Sequence, residues 1–249
     1  MRKLYVIGIG AGNPRHMTVE AIEALNAVDA VFLLDKGAEK SDLVHLREAI
    51  CDRFLTNPRC RRITAASPAR DTSIAYRAGV DAWHGEKAAL YAGLIRDSLG
   101  EDEAGAFLVW GDPALYDSTL RILDAIRGTV AFETIVIPGI SAAQALAAAH
   151  RIPLNRIGEP VHLTTGRKLR EAGGMSEDSV VFLDSGETLA TLPADGLHIW
   201  WGAYLGTEDE VLVAGPLGDV REEILQLRAA RRAAKGWIMD IYLLRKRAP

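Results

Sequence analysis

The sequence predicts an α/β fold of two domains. The first is built on a parallel sheet with helices on both faces, and the second is richer in strands. Strand-like and helix-like stretches alternate through the first half, an order that gives a parallel sheet. The second half carries five strand-like runs with fewer helices between them. Three turns rich in glycine and proline, "GIGAGNP", "WGDPALY" and "PGISAAQ", each follow a strand in the first half.

Leu4–Ile9 is a continuous apolar run, as in a strand buried on both faces. Thr18 is placed to cap a helix running to about Asn26, with Val19, Ile22, Ala24 and Leu25 on its apolar face. Ala30–Leu34 is a second strand ending in Asp35, and a helix-like stretch follows through Ile50. Thr72–Leu99 reads as a long helix. Ala106–Trp110 is the next strand and Leu115–Ile126 the next helix, with Asp112 as N-cap candidate and Pro113 beside it. Thr134–Ile137 is a strand that leads through "PGIS" into the helical "AAQALAAAH". Beyond it "VHLTT", "VVFLD", "HIWWGAYL", "EVLVAGPL" and "WIMDIYLL" read as strands, and Arg221–Ala234 as a helix. The character changes near residues 138–155, and the domains are assigned to residues 1–140 and 141–249.

Composition narrows the function. The 249 residues carry a net charge of −4, with 49% hydrophobic and 25% charged residues. That balance leaves no footprint for a nucleic-acid groove or an anionic membrane surface. The basic clusters Arg59, Arg61, Arg62 and Arg228, Arg231, Arg232, Lys235 read as solvated faces or contacts to a small anion. Cys51 and Cys60 make no C-x-x-C and no disulfide framework. The N-terminal apolar run breaks early into Gly, Asn and Pro and lacks a cleavage site, so a strand and a cytoplasmic location are expected. The six histidines never pair at i+3 or i+4, so no metal site is expected.

In an open parallel sheet ligands bind outside the carboxyl ends of the strands, where all three turns lie. A dinucleotide fingerprint fails, because Asn13 stands where the third glycine belongs and Pro14 to Met17 separate the loop from the helix. A hydrolase reading would use Ser141, Asp184 and His198 in that order. Pro138 and Ala143 spoil its elbow, and Ser141 reads better as a helix cap.

With these stretches in place, the chain resembles the tetrapyrrole (corrin and porphyrin) methyltransferases, which use S-adenosylmethionine. The family's first loop, G-x-G-x-G-[D/N]-P ending in L/M-T, is here "GIGAGNPRHMT". Its second-strand end, like D-R-L, is "LLDKG", and its Gly-Asp-Pro with a following aromatic is "WGDPALYDST". Its P-G-I-S is "IPGISAAQALAAAHRIPL", its T-x-G-R region is "HLTTGRKL", and its late strand and loop are "GAYLGTEDEVLVAGPL".

The resemblance implies two α/β domains, the C-terminal one with a mixed sheet, and the cofactor held in the cleft between them. By motif, Pro14, Gly111, Asp112, Pro113, Leu115, Tyr116, Ser141 and Ala142 line the cofactor from the first part of the chain, and Leu183, Ala203, Tyr204 and Pro216 from the second. Leu183 stands where relatives often have Met. Asp35 matches a strand-end aspartate of the active-site trough and is the candidate base, with a capping role as its alternative. Tyr116 is a candidate to orient either ligand, and Lys36, Arg167 and Lys168 to pair with the substrate's carboxylates.

Within the family, "LLDKGAEKSDLVHLREAIC", "AFLVWGDPALYDSTLRI" and "WWGAYLGTEDE" resemble the branch that methylates C1 of a corrin precursor and expels its acetyl group. A sister enzyme acting at another carbon and a non-catalytic adenosylmethionine-binding module are the alternatives. A homodimer is expected, from the family and from the bulky pair Trp200 and Trp201.

Overall fold

The computed structural model describes residues 1–35, 41–69 and 76–246, with 41–44 and 76–78 described by their backbone alone. Among these, the first half forms β1 (Arg2–Gly8), α1 (Val19–Ala27), β2 (Ala30–Asp35), α2 (Ser41–Phe54), β3 (Arg61–Ala66), α3 (Tyr76–Ser98), β4 (Ala104–Val109), α4 (Thr119–Ile126) and β5 (Phe132–Ile137). The second half adds α5 (Ala142–His150), β6 (His162–Thr165), α6 (Gly166–Glu171), β7 (Ser179–Phe182), α7 (Glu187–Thr191), β8 (Leu197–Ala203), β9 (Val211–Pro216), α8 (Leu217–Lys235) and β10 (Asp240–Lys246).

Contacts divide the chain into two units. Met1–Gly10 and Pro14–Ile140 form one, and Ala11–Asn13 pack with the chain from Ser141 onward. The first unit is a five-stranded sheet in the order β3-β2-β4-β1-β5, parallel throughout. Side chains on its two faces form two cores. Ile7, Val31, Leu33 and Leu108 meet α1 and α2, while Leu4, Phe32, Phe107 and Val109 meet α3 and α4. Burial on both faces is why these strands read as unbroken apolar runs.

The second unit is a mixed sheet in the order β6-β7-β10-β8-β9, with only β6 and β7 parallel. One face packs against α6, α7 and α8 through Leu169, Leu189, Leu217 and Ile224. The other packs against Ala143 and Leu146 of α5.

Local signals explain the helix starts. Thr18 accepts the Ala21 N–H at 3.1 Å, as the sequence predicts. Ser141 and Gln144 form a capping box at α5, with the Ser141 N–H bonded to Gln144 Oε1 at 2.8 Å. One expected start moves. The helix read from Leu115 begins at Thr119, because Tyr116 holds a left-handed φ of 53° that no helix continues. Asp112 and Pro113 therefore belong to a loop and not to a helix cap. Asp117 accepts the Thr119 N–H at 2.6 Å.

The strand β3 carries no apolar signal because it is an exposed edge, with Arg61 and Arg62 in solvent and paired to Glu103 and Asp52. The start of the expected Thr72–Leu99 helix lies outside the described residues, as does Lys36. The tryptophan pair packs within its own unit. Trp201 is 0% exposed and donates to Asp240 at 2.8 Å, and Trp200 is half-buried, with the His198 ring and the Arg245 guanidinium beside it. Its bulk therefore gives no argument for a dimer.

Candidate functional site

The strands β1, β4 and β5 end level on one edge of the first sheet, where Ile7 pairs with both Leu108 and Ile137. The three glycine-bearing turns thus leave from neighbouring strands. Gly111 donates its N–H to the Gly10 carbonyl at 2.8 Å, and Gly10 returns a bond at 3.3 Å. A Cβ at Gly139 would stand 2.2 Å from the Gly111 carbonyl oxygen, and one at Gly8 would stand 2.6 Å from the Gly139 nitrogen. Three backbones meet in van der Waals contact here, so no side chain fits at either position.

Asp112 ties the second turn to the third. Its Oδ1 accepts the Ala114 N–H at 2.8 Å, and its Oδ2 accepts the Gly139 N–H at 2.9 Å. The carboxylate is a clasp between loops 27 residues apart in sequence. That explains the Gly-Asp-Pro at a strand end. Glycine allows the close approach, aspartate bridges two loops, and the buried Pro113 stiffens the turn.

Backbone strain marks a few further positions in each unit. Among the described residues, four non-glycines hold positive φ: Tyr116 at 53°, Arg151 at 58°, Leu183 at 52° and Tyr204 at 51°. Arg151 caps the end of α5, an ordinary place for it. The other three lie in turns after β4, β7 and β8, and all three are residues the motifs single out. A left-handed L-residue costs roughly 1–2 kcal/mol and persists where its surroundings fix it. Side-chain packing does not supply the reason at Leu183, which is 69% exposed, or at Tyr116, which is 42% exposed. Partial burial pushes the Tyr116 phenol up from its ordinary value.

The remaining first-unit candidates are placed as follows. Pro14 opens a short 3-10 turn, and α1 starts only at Val19, so the glycine loop does not open the helix as a dinucleotide site requires. Leu115 is half-buried, with its N–H on the Asp112 carbonyl at 3.2 Å. Asp35 ends β2 on the same edge as the three turns, half-buried, and its carbonyl accepts the Ser67 N–H at 2.6 Å.

Residues 3–221 match the family model described as Tetrapyrrole (Corrin/Porphyrin) Methylases. The chain belongs to that family. It is 51% identical over 252 residues to a precorrin-6A synthase (deacetylating) from a Sinorhizobium species, covering 100% of this chain and 97% of that one. The crystal structure of a cobalamin synthesis related protein (CobF) from Corynebacterium diphtheriae matches with a TM-score of 0.84 at 40% identity, over 100% of both chains. A uroporphyrin-III-C-methyltransferase from Thermus thermophilus shares the fold, with a TM-score of 0.59 at 18% identity over 98% of this chain and 92% of that one.

In the second unit of this methylase, the strained Leu183 is followed by a residue held from every side. The Asp184 carboxylate accepts the N–H groups of Gly186, Thr188 and Leu189 at 3.1, 3.3 and 3.1 Å, and the Tyr242 hydroxyl at 2.9 Å. Its carbonyl accepts Arg228 Nη2 at 2.8 Å. Arg228 also grips Asp240 through Nε at 2.7 Å and Nη2 at 3.1 Å. This network over-determines Asp184 and so fixes the backbone of its neighbour Leu183. It also removes the hydrolase reading, since Asp184 serves backbone N–H groups and Ser141 serves a capping box. No sequence signal announced it, because its members are spread from Asp184 to Tyr242.

Ala203 is fully buried at the end of β8. Tyr204 is 3% exposed, its hydroxyl donates to the Trp237 carbonyl at 2.7 Å, and its N–H to the Met239 carbonyl at 2.9 Å. The Tyr204 carbonyl accepts the Thr207 N–H at 3.0 Å and the Thr207 hydroxyl at 2.7 Å. Pro216 ends β9 at the start of α8, and Ala142 opens α5. Arg167 and Lys168 are exposed and held by Glu171 at 2.8 and 2.7 Å. Among the described residues no cluster of His, Cys, Asp or Glu is arranged to hold a metal.

Proposed function

We propose that this methylase is a precorrin-6A synthase of the deacetylating kind. It methylates C1 of precorrin-5 with S-adenosylmethionine and releases the C1 acetyl group as acetate, in aerobic cobalamin synthesis. The observation that carries the substrate is the 51% identity to such a synthase along the whole chain.

The residues fit the cofactor. Backbone stripped of side chains at Gly8, Gly10, Gly111 and Gly139, beside the held Tyr116, suits close approach of a nucleoside-bearing ligand. Rigid turns reduce the ordering cost of binding. Pro14, Gly111, Asp112, Pro113, Leu115, Tyr116, Ser141 and Ala142, with Leu183, Ala203, Tyr204 and Pro216, make up the proposed binding set. Asp112 acts in it by holding the Gly139 turn, and Leu183 and Tyr204 act through strained backbone. When bound, adenosylmethionine supplies the methyl group and leaves as a neutral thioether, so that transfer needs geometry more than acid–base help.

Losing acetyl does need a base. Water adds to the ketone, the bond from C1 to the acyl carbon breaks, its electron pair stays on C1, and acetate departs. Asp35 is the proposed group that takes the proton from water. Tyr116, half out of its turn, orients the macrocycle. Arg167 and Lys168 can exchange Glu171 for substrate carboxylates, because exposed ion pairs are weak. The enzyme works as a homodimer in the cytoplasm on this reading, which rests on the family and is read directly by sedimentation.

The test is Asp35→Asn. Acetate release should fall by about 10²–10⁴, while calorimetric binding of adenosylmethionine stays within about twofold. Methyl transfer should fall with it, because acetyl loss creates the acceptor. Near-normal acetate release by the variant would remove Asp35 from the mechanism.

A further inference from the structure

Two neighbouring strands of the second unit, β6 and β7, run parallel and end level, with Thr165 paired to Phe182. A turn leaves each strand at the next residue. Gly166, Arg167 and Lys168 lead from β6 into α6, and Leu183, Asp184 and Ser185 lead from β7 toward α7. The first turn carries the cations proposed for the substrate's carboxylates. The second carries the strained Leu183 proposed for the cofactor.

One side chain joins the two turns. A Cβ on Gly166 would stand 2.6 Å from Asp184 Oδ1 and 2.8 Å from Asp184 Cβ. The Gly166 backbone therefore rests directly on the Asp184 side chain. A loose side chain would yield at such a contact, but Asp184 is fixed. It is 9% exposed, and its carboxylate accepts three backbone N–H groups and the Tyr242 hydroxyl. Tyr242 is 1% exposed. Burial and the Asp184 charge push its phenol up, so it keeps its proton and donates. Beyond the carboxylate, a Cβ at Gly186 would stand 2.2 Å from Arg228 Nη1, and Arg228 Nη2 holds the Asp184 carbonyl at 2.8 Å. The hydrophobic core gives no reason for this support at Leu183, whose side chain is 69% exposed. Buried polar support beneath an exposed, strained turn is how a binding surface is held in one geometry.

We propose that Asp184 is a positioning residue shared by both ligands: it fixes the Gly166 turn and the Leu183 turn in one register, so that the macrocycle's carboxylates and adenosylmethionine meet preset surfaces. The inference rests on the reading that Arg167 and Lys168 meet the substrate and Leu183 the cofactor. Asp184 touches neither ligand on this account, and Tyr242 acts through it.

Removing Asp184 would strand three N–H groups in the interior, so the experiment loosens it instead. Tyr242→Phe takes away one donor and keeps the ring in the core. Gly166→Ala pushes on the carboxylate from the other turn. Hydrogen exchange followed by mass spectrometry, on the protein without ligands, should show the amides of residues 166–169 and 183–186 exchanging faster together in each variant. The Kd for adenosylmethionine, by calorimetry well below both melting temperatures, should rise about three- to tenfold in Tyr242→Phe, the size of one net hydrogen bond. The KM for precorrin-5 should rise by a similar factor with kcat within about twofold, the pattern of lost uniform binding.

A lower melting temperature with Kd and KM both within twofold of the wild type would overturn the proposal, because the network would then serve stability alone. Faster exchange confined to one turn would overturn it as well. A wild type that binds no adenosylmethionine would refute the functional reading instead, and hydrogen exchange would still decide whether Asp184 ties the two turns.

Discussion

Replacing Asp112 tests whether the turns of the site are held together as described. Two backbone N–H groups share this carboxylate, one on each oxygen, from Ala114 at 2.8 Å and Gly139 at 2.9 Å. A hydrogen bond to a charged acceptor contributes about 1.5–3 kcal/mol. Ala114 is exposed, so its N–H regains water when the carboxylate goes. The loss therefore falls mainly on the partly buried Gly139 N–H, and Asp112→Ala should destabilise the first unit by about 2 kcal/mol. For a domain of this size that is a fall of roughly 4–8 °C in melting temperature. Asp112→Asn keeps one acceptor oxygen, which Gly139 can use while the amide NH₂ turns outward, so it should lose about half as much.

Differential scanning calorimetry reads the first effect, and isothermal titration with adenosylmethionine reads the second. Affinity should follow the same order, wild type above Asn above Ala, because the Gly139 turn leads directly into Ser141 and Ala142. A melting temperature for Asp112→Ala within about 1 °C of the wild type would refute the clasp. Equal cofactor affinity in all three proteins would make the loop structural only.

Gly139→Ala should prevent the first unit from reaching its native melting behaviour, since its Cβ would stand 2.2 Å from the Gly111 carbonyl oxygen; a cooperative wild-type melt would contradict this. Leu183→Gly should leave stability near the wild type, because relief of left-handed strain offsets the entropy cost of glycine. It should still weaken cofactor binding several-fold by calorimetry, and unchanged affinity would exclude Leu183 from the site. Lys87 of α3 is 5% exposed, so Lys87→Met should be more stable than the wild type near neutral pH, with the gap closing as pH rises. The folded-state Lys87 lies below its ordinary value of 10.5, so the unfolded chain binds more protons in that window and wild-type stability climbs with pH. Urea melts of both proteins across that range would show parallel curves if Lys87 were not desolvated.

The first half of the fold was legible because its strands are buried on both faces. Continuous runs such as Leu4–Ile9 and Ala106–Trp110 leave no other reading, and Thr18 and Ser141 announce their helices by capping chemistry. The edge strand at Arg61–Ala66 was not legible, because an exposed edge needs charge more than apolar residues. The helix expected at Leu115 failed for a related reason. Proline and aspartate signal a helix start, but the left-handed Tyr116 breaks the turn, and no propensity encodes that strain.

At the site, the glycines could be read as places of close approach, yet not as contacts of each other. The joining of Gly8, Gly111 and Gly139 depends on three strands ending level in one sheet. The Asp184, Arg228 and Asp240 network was illegible for the same reason. Its members are distant in sequence and of types that ordinarily read as solvated surface.

The most direct measurement incubates the protein with precorrin-5 and methyl-labelled adenosylmethionine, and counts labelled tetrapyrrole and free acetate over the time course. One labelled C1-methyl product should form for each acetate, in step from the first turnover and unaffected by a chelator. Labelled product that keeps its acetyl group, or a methyl placed at another carbon, would contradict it.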